Sequence, residues 1–288
     1  MIHHYPHSQT GSSSAMNMIA ALLEQRTGQQ IAANRAWRIE TALKPILRAR
    51  GLATLDDLVG QLVATRTGEL GDQVVDALLN QETSFFRDAA VLDQVAEATR
   101  AMVASHAGRR IRIWSSGCST GQEPLSLAML FDEKGMREGM AAPEIIATDV
   151  SPAALARARA GRFSQFEIQR GLPVRRMLAW FDGAGSEWSA KSELLRRIQF
   201  RQQNLTADPA PPGKFDIILC RNVMLYFSGE VRQRVFGTLA SAVRPGGLLV
   251  LGAGETVIGQ TDRFRPCDEY RGFYRACEPG SDASRAHG

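Results

Sequence analysis

The run Ser115-Ser116-Gly117-Cys118-Ser119-Thr120-Gly121-Gln122-Glu123-Pro124 follows a short apolar segment, Ile111 to Trp114, and leads into a helix-forming stretch, Leu125 to Phe131. Glycines in a strand-to-helix turn let the backbone approach a ligand closely at the carboxyl edge of a parallel sheet, where nucleotide-type molecules bind. The glycines are four apart and no lysine follows, so the turn is neither the GxGxxG dinucleotide fingerprint nor a GxxxxGK phosphate loop. A second apolar run, Glu144 to Thr148, ends in Asp149, where a carboxylate can accept hydrogen bonds from both ribose hydroxyls of an adenosine. Loop and acid together select a nucleoside whose obvious partner is not a pyrophosphate. Each also has an ordinary reading, the glycines as a tight turn and Asp149 as a cap for the helix starting at Ser151-Pro152.

Strands must alternate with helices to hold such a turn. After a helix from about Ala89 to His106, apolar runs at Ile111–Trp114, Glu144–Thr148, Phe215–Cys220, Leu248–Leu251 and Phe273–Ala276 are separated by helical stretches, which predicts a mostly parallel α/β sheet. Arg244-Pro245-Gly246-Gly247-Leu248 reads as a turn from helix to strand. Between about 162 and 200 the alternation breaks: Met177–Asp182, the turn-like Gly183-Ala184-Gly185 and Glu187–Ser189 predict an antiparallel insertion. Ahead of this, residues 16–80 carry apolar residues at helical spacing (Leu55, Leu58, Val59, Leu62; Val74, Val75, Leu78, Leu79), predicting a small helical domain. Residues 1–14 and 278–288 lack that periodicity and are expected to be loose tails.

With 288 residues and 44% hydrophobic content, the chain can hold one large domain and one small one. No run of eighteen apolar residues occurs, and residues 1–14 lack the apolar core of a signal peptide, so no membrane insertion and a cytoplasmic location are expected. Cys118, Cys220, Cys267 and Cys277 show no CxxC spacing, which argues for reduced thiols and against a zinc site; no metal is expected. A formal charge of +4 suits an acidic partner, whether nucleic acid or an acidic protein surface. The basic charge is concentrated: from Arg26 to Arg50 six basic residues face one acid, Glu40, while residues 1–80 balance at seven of each sign. On a helix from Ile31 to Arg50, Ile39, Leu43, Ile46 and Leu47 share one side, and Trp37, Thr41, Lys44 and Arg48 the other, despite Pro45. That second side is either a docking surface or simply a solvated basic face.

Three segments carry a family resemblance: Gln81-Glu82-Thr83-Ser84-Phe85-Phe86-Arg87, the Gly117–Pro124 run, and Cys220-Arg221-Asn222-Val223-Met224-Leu225-Tyr226-Phe227. Together they resemble the CheR family of chemoreceptor glutamate methyltransferases over about residues 16–276. The resemblance implies a Rossmann-like, S-adenosylmethionine-dependent methyltransferase sheet (91–277) with an antiparallel β insertion. It further implies a helical N-terminal domain (16–80) that docks a receptor's cytoplasmic helical bundle, and a linker (81–90) that contributes to the active site. By the same resemblance Gln81, Thr83 and Arg87 lie against the cofactor, with Gln81 a departure from the Asn of many relatives. Gly117 lies in the cofactor turn, Glu123 meets the methionine end, Asp149 holds the ribose, Asn204 and Leu205 meet the adenine, and Arg221 and Asn222 close the site. S-adenosylhomocysteine would be the product, and a monomer that binds no nucleic acid is expected.

A glutamate acceptor is ionised at neutral pH, with a reference pKa of about 4.3, so no general base is needed. Catalysis then reduces to aligning carboxylate oxygen, methyl carbon and sulfur, an orientation effect of roughly 7–11 kcal/mol. Arg87 and Tyr226 are the expected catalytic pair, a guanidinium that grips a carboxylate and a phenol that donates one hydrogen bond to it. Tyr226 is the better orienter, because an ion pair stabilises the charged ground state more than the transition state. Competing readings are a methyltransferase of another substrate class, a non-catalytic S-adenosylmethionine-binding adaptor, and, against the glycine spacing, a NAD-dependent oxidoreductase.

Overall fold

Apolar residues three and four apart build the first eighty residues into helices in the computed structural model, which describes residues 13–32, 37–65, 68–106, 108–137, 139 and 142–277. The chain divides into two compact units, Met1–Asn80 and Gln81–Gly288. In the first, helix α1 (Ser13–Thr27) takes in Ser13 and Ser14, which the sequence reading assigned to a tail, and buries Ala15, Ile19, Leu23 and Thr27 along one face. The remaining tail residues, 1–12 and 278–288, lie outside the described residues. Helix α2 (Trp37–Arg50) buries Ile39 and Leu43 and exposes Trp37, Thr41, Lys44 and Arg48, with Pro45 inside it. Ile31 and Ala32, expected in this helix, are not helical, and residues 33–36 lie outside the described residues. Arg26 pairs with Asp72, so one of the six basic residues of the 26–50 stretch is neutralised within the unit.

Helix α3 (Leu55–Ala64) opens on a reciprocal cap, in which the Thr54 hydroxyl accepts from Asp57 N at 3.1 Å and the Asp57 carboxylate accepts from Thr54 N at 2.9 Å. The Thr54 hydroxyl also donates to the Asp57 carboxylate at 2.8 Å, and this bond, with the one from Thr54 N, holds the Asp57 carboxyl below the usual carboxylate range. Helix α4 (Glu69–Leu78) buries Leu70, Val74, Val75 and Leu78 at the spacing of one helix face.

The second unit runs α5 (Ala89–Ser105), β1 (Arg112–Ser116), α6 (Gln122–Glu133), β2 (Glu144–Asp149), α7 (Pro152–Ala160), β3 (Arg162–Ser164), α8 (Gln165–Gln169), α9 (Val174–Trp180), β4 (Phe181–Ala184), β5 (Glu187–Ala190) and α10 (Ser192–Leu195). It continues with β6 (Ile198–Gln202), β7 (Phe215–Cys220), α11 (Gly229–Ala242), β8 (Val243–Leu251), β9 (Phe264–Pro266) and β10 (Phe273–Ala276). Seven strands form one sheet in the order β6-β2-β1-β7-β8-β10-β9; the first five are parallel, β10 is antiparallel to β8, and β9 is antiparallel to β10. The order reverses between β1 and β7, and at such a switch point the carboxyl ends of neighbouring strands open a crevice.

Alternation along the strands feeds both faces of this sheet. Ile113, Ile145, Ala147, Ile217, Leu219, Leu248 and Val250 join one apolar cluster with residues of α5 and α6, while Trp114, Ile146, Ile218, Cys220, Leu249 and Leu251 join a second with α11. Trp114 is fully buried and satisfies its indole by donating to Thr148 Oγ1 at 2.9 Å.

Two features depart from the sequence expectation. The antiparallel sheet is smaller, β3-β5-β4; Met177–Trp180 belongs to α9, and β6, beginning inside the segment assigned to the insertion, joins the edge of the parallel sheet. Only Ile198 and Phe200 mark β6 as apolar, since an edge strand buries little. Strand β8 also starts five residues earlier than expected, at Val243; Phe215 faces Val243 while Ile217 faces Leu248, so the residues Arg244–Gly247 bulge out of the ladder.

Candidate active site

Strand β1 ends at Ser116, and the chain turns into α6 through Gly117 and Gly121, both in the left-handed region with φ 74° and 94°. Gly117 N and Cys118 N donate to Thr148 O at 2.8 and 2.9 Å, which fastens the turn to the end of β2. A Cβ on Gly117 would lie 2.4 Å from Val223 Cγ2, and one on Gly121 3.0 Å from the Ala158 Cβ. Glycine is therefore required here for the turn to pack against the β7 loop and α7, in keeping with the tight-turn reading that stood beside the ligand one. Asp149 accepts from Ser119 N at 2.8 Å and from Ser151 N at 2.9 Å, and the Ser151 hydroxyl caps α7 by accepting from Ala154 N. The acid thus organises both loops, and the capping role belongs to Ser151. Gln81 joins them: its carbonyl accepts from Ser119 Oγ at 2.9 Å, and its amide donates to Ser151 Oγ at 3.1 Å.

The second part of the site is built on a buried guanidinium. The Arg221 side chain, 2% exposed, donates to Glu123 Oε2 at 2.9 Å, to Asp88 Oδ2 at 2.5 Å and to the Arg87 carbonyl at 3.0 Å. Glu123 also accepts from Ser115 Oγ at 2.8 Å. Charge-assisted bonds to a shielded group are about twice as strong as neutral ones. Arg221, expected as a cofactor contact, braces Glu123, the Asp88 side chain and the Arg87 carbonyl. Asn222 follows it in the left-handed region at φ 59°, its amide held by Glu255 Oε2 at 2.8 Å.

Four non-glycine residues have positive φ among the described residues: Phe86, Asp88, Ser119 and Asn222, and all lie in these three loops. Such conformations cost on the order of 1–3 kcal/mol each, less for Asn, and persist only where surroundings enforce them. Each has its restraint. Phe86 N donates to Ser126 Oγ at 3.0 Å, Asp88 is held by Arg221, Ser119 N by Asp149, and Asn222 N by Glu255. The phenyl ring of Phe86 is also covered by Arg176, 4.2 Å from its centroid, and Arg176 pairs with Glu133 at 2.7 Å. Ser126, Asp88 and Glu255 carry no signal in the sequence reading; only Asp88, next to Arg87, and Ser126, on the helix after the glycine turn, are adjacent to a recognised motif.

The remaining expected residues sit around this frame. Arg87 is half-buried and donates to the Glu82 carbonyl at 3.3 Å, while its own carbonyl is held by Arg221. Thr83 is half-buried in the same linker. Tyr226, half-buried, ends the 3-10 turn Met224–Tyr226 that follows Arg221 and Asn222. Past β6, Gln203 N donates to Asp149 O at 3.0 Å, which carries Asn204 and Leu205 back to the end of β2. Asn204 Oδ1 accepts from both Thr206 N and Thr206 Oγ1, so a donor role toward adenine rests on its amide NH2. Leu205 is buried in the second apolar cluster.

Asp88, Glu123, Asp149 and Glu255 set against Arg87 and Arg221 give four negative charges to two positive ones, net −2. S-adenosylmethionine, with a sulfonium, an ammonium and a carboxylate, has net charge +1, and its ammonium and ribose hydroxyls need carboxylate acceptors of the kind Glu123 and Asp149 provide. The donor set fits that cofactor, whereas a pyrophosphate would meet repulsion from both acids. Burial, reinforced by Asp149 and Glu123, pushes the Cys118 thiol well up, and burial with Glu255 and Glu123 does the same at Cys220. Both remain protonated and take no nucleophilic part.

Residues 81–273 match the family model described as CheR methyltransferase, SAM binding domain. Curated relatives agree along most of the length. A chemotaxis protein methyltransferase of Vibrio parahaemolyticus is 39% identical over 245 residues, 84% of this chain and 89% of that one. Chemotaxis protein methyltransferase 1 of Pseudomonas aeruginosa is 33% identical over 261 residues, 89% of this chain and 95% of that one. With a methyltransferase domain matched from the linker to the last strand, and relatives that also span the helical unit, the chain belongs to the CheR family and is a methyltransferase whose methyl donor is S-adenosylmethionine.

Proposed function

We propose that this chain esterifies glutamate side chains on the cytoplasmic helical bundle of a chemotaxis receptor. The observation that carries the reading is the agreement with chemotaxis methyltransferases over 84–89% of the chain, helical unit included. Bound S-adenosylmethionine supplies an electrophilic methyl group on a sulfonium. Asp149, Gln81, Thr83, Gly117, Asn204, Leu205 and Asn222 would bind and orient it, and Glu123, braced by Arg221, would meet its ammonium. The acceptor carboxylate arrives already ionised, so Arg87 and Tyr226 need only hold one oxygen in line with the methyl carbon and take no proton. This suits the site: its two thiols stay protonated, and the one histidine among the described residues, His106, sits at the end of α5 bonded to Ser105 and Met102. The exposed Trp37, Thr41, Lys44, Arg48 side of α2 suits an acidic helical surface and is assigned to receptor docking. No described helix is long and apolar enough to cross a membrane. We place the protein in the cytoplasm, acting as a monomer.

The test is transfer of radiolabelled methyl from S-adenosylmethionine to a receptor cytoplasmic fragment, followed by mild alkali. Volatile methanol is expected, since carboxyl esters hydrolyse there; label that stays on the fragment after alkali would mean an N-methyl product and overturn the glutamate assignment.

A further inference from the structure

Glu255 lies outside every motif that marks the site, in the turn Gly252-Ala253-Gly254-Glu255 after β8. That turn closes with Glu255 N donating to Gly252 O at 2.9 Å, which folds the side chain back over the strand end. Its carboxylate then collects three backbone amides from two loops. Oε2 accepts from Asn222 N and Gly252 N, both at 2.8 Å, and Oε1 accepts from Leu225 N at 3.3 Å. The approach is close: a Cβ on Gly252 would lie 2.7 Å from Asn222 Nδ2 and 2.9 Å from Glu255 Oε2. Two of the three amides belong to the loop that runs from Asn222 to Tyr226, and one of them is that of a left-handed residue.

We infer that Glu255 is a positioning residue for methyl transfer, holding the Asn222–Tyr226 loop in the one backbone conformation that presents Tyr226 to the acceptor. Among the described residues the other three left-handed non-glycine residues are pinned by Ser126, Arg221 and Asp149, each on or beside a motif; Glu255 supplies the fourth pin from a separate strand end. A carboxylate suits this task because it only accepts, whereas an amide at the same place would turn an NH2 donor toward one of the three N–H groups. The inference rests on reading the β7 loop as the transfer site.

Glu255→Gln is the test, read two ways. Amide hydrogen exchange on the protein without cofactor should show Asn222 and Leu225 losing protection at least tenfold while the β7 and β8 ladders keep theirs. Turnover should fall about tenfold with a smaller change in the cofactor Kd, because the brace acts on the loop that carries Tyr226 and not on the methyl donor itself. Unchanged protection of Asn222 and Leu225 overturns the inference, as does a cofactor Kd that weakens as much as turnover falls. Should Glu255→Gln fail to fold, Glu255→Asp decides: a carboxylate one methylene shorter cannot span all three amides, so full turnover with native protection in that variant overturns it. The site reading fails separately, if Tyr226→Phe leaves turnover unchanged while exchange responds as expected.

Discussion

The two edges of the parallel sheet use the same buried chemistry for different ends. At the amino edge Asp216, 4% exposed, accepts a bidentate pair from Arg109 at 2.6 and 2.9 Å and the backbone amide of Arg112 at 2.9 Å, while Arg112 itself pairs with Glu144 at 2.6 Å. The hydrogen bonds that Arg109 donates to Asp216 raise the pKa of its guanidinium above the ordinary value. These contacts tie strand to strand and leave the backbone relaxed; where a left-handed residue is needed nearby, Gly213 and Gly246 provide it. At the carboxyl edge Arg221, Asp149 and Glu255 tie loops to loops, and the left-handed positions they restrain are occupied by Asp88, Ser119 and Asn222. One edge spends ionic contacts on register, the other on holding side-chain-bearing loops where a ligand meets them.

Breaking the amino-edge pair tests the contrast most severely. Asp216→Ala should lower stability by about 3–5 kcal/mol, because it strands Arg109 and the Arg112 amide, whereas isothermal titration of the folded fraction should find cofactor affinity unchanged. A matching fall in affinity would erase the distinction between the edges. Arg221→Met should also cost stability, because it leaves Glu123 and Asp88 without their partner, but unlike Asp216→Ala it should lower kcat/KM of the folded fraction by roughly a hundredfold, about 2.7 kcal/mol of transition-state stabilisation. Tyr226→Phe is expected to cut kcat by about tenfold with cofactor Kd nearly unchanged, read from initial rates and titration; equal losses in both would move the phenol to the cofactor.

The smallest effect concerns the support beneath Phe86. Arg176 holds the Glu133 carboxyl below its usual range, so this pair adds stability that is present above the unfolded pKa of about 4.3 and is lost as pH falls through the lower folded value. Solvent screening at a half-exposed site keeps this under about 1 kcal/mol. Glu133→Gln should flatten the acid limb of a stability–pH curve by that amount, and an unaltered limb would remove the pair from the account.

Much of this was legible in the residues because periodicity and glycine placement are local. The glycine turn, the β1, β2 and β7 runs and the acid at the end of β2 stand out because fully buried parallel strands are continuous apolar stretches. Strand β6 and the short β9 were missed for the opposite reason, since edge strands bury little and Ile198–Gln202 reads as polar. Arg221 was legible as a site residue but not in its role, which depends on Asp88 and Glu123 meeting it from 133 and 98 positions away in the chain. Glu255 was invisible, because a carboxylate that accepts only backbone amides leaves no pattern of residue types.

The left-handed residues also bear on how substitution data for this site should be interpreted. Valine or isoleucine at position 119 or 222 is penalised by its own β-branch before any ligand is present, while glycine and aspartate are accommodated. A saturation library screened for activity would therefore rank replacements there by backbone tolerance, and a sharp preference in such a screen would report main-chain geometry rather than contact with the methyl donor.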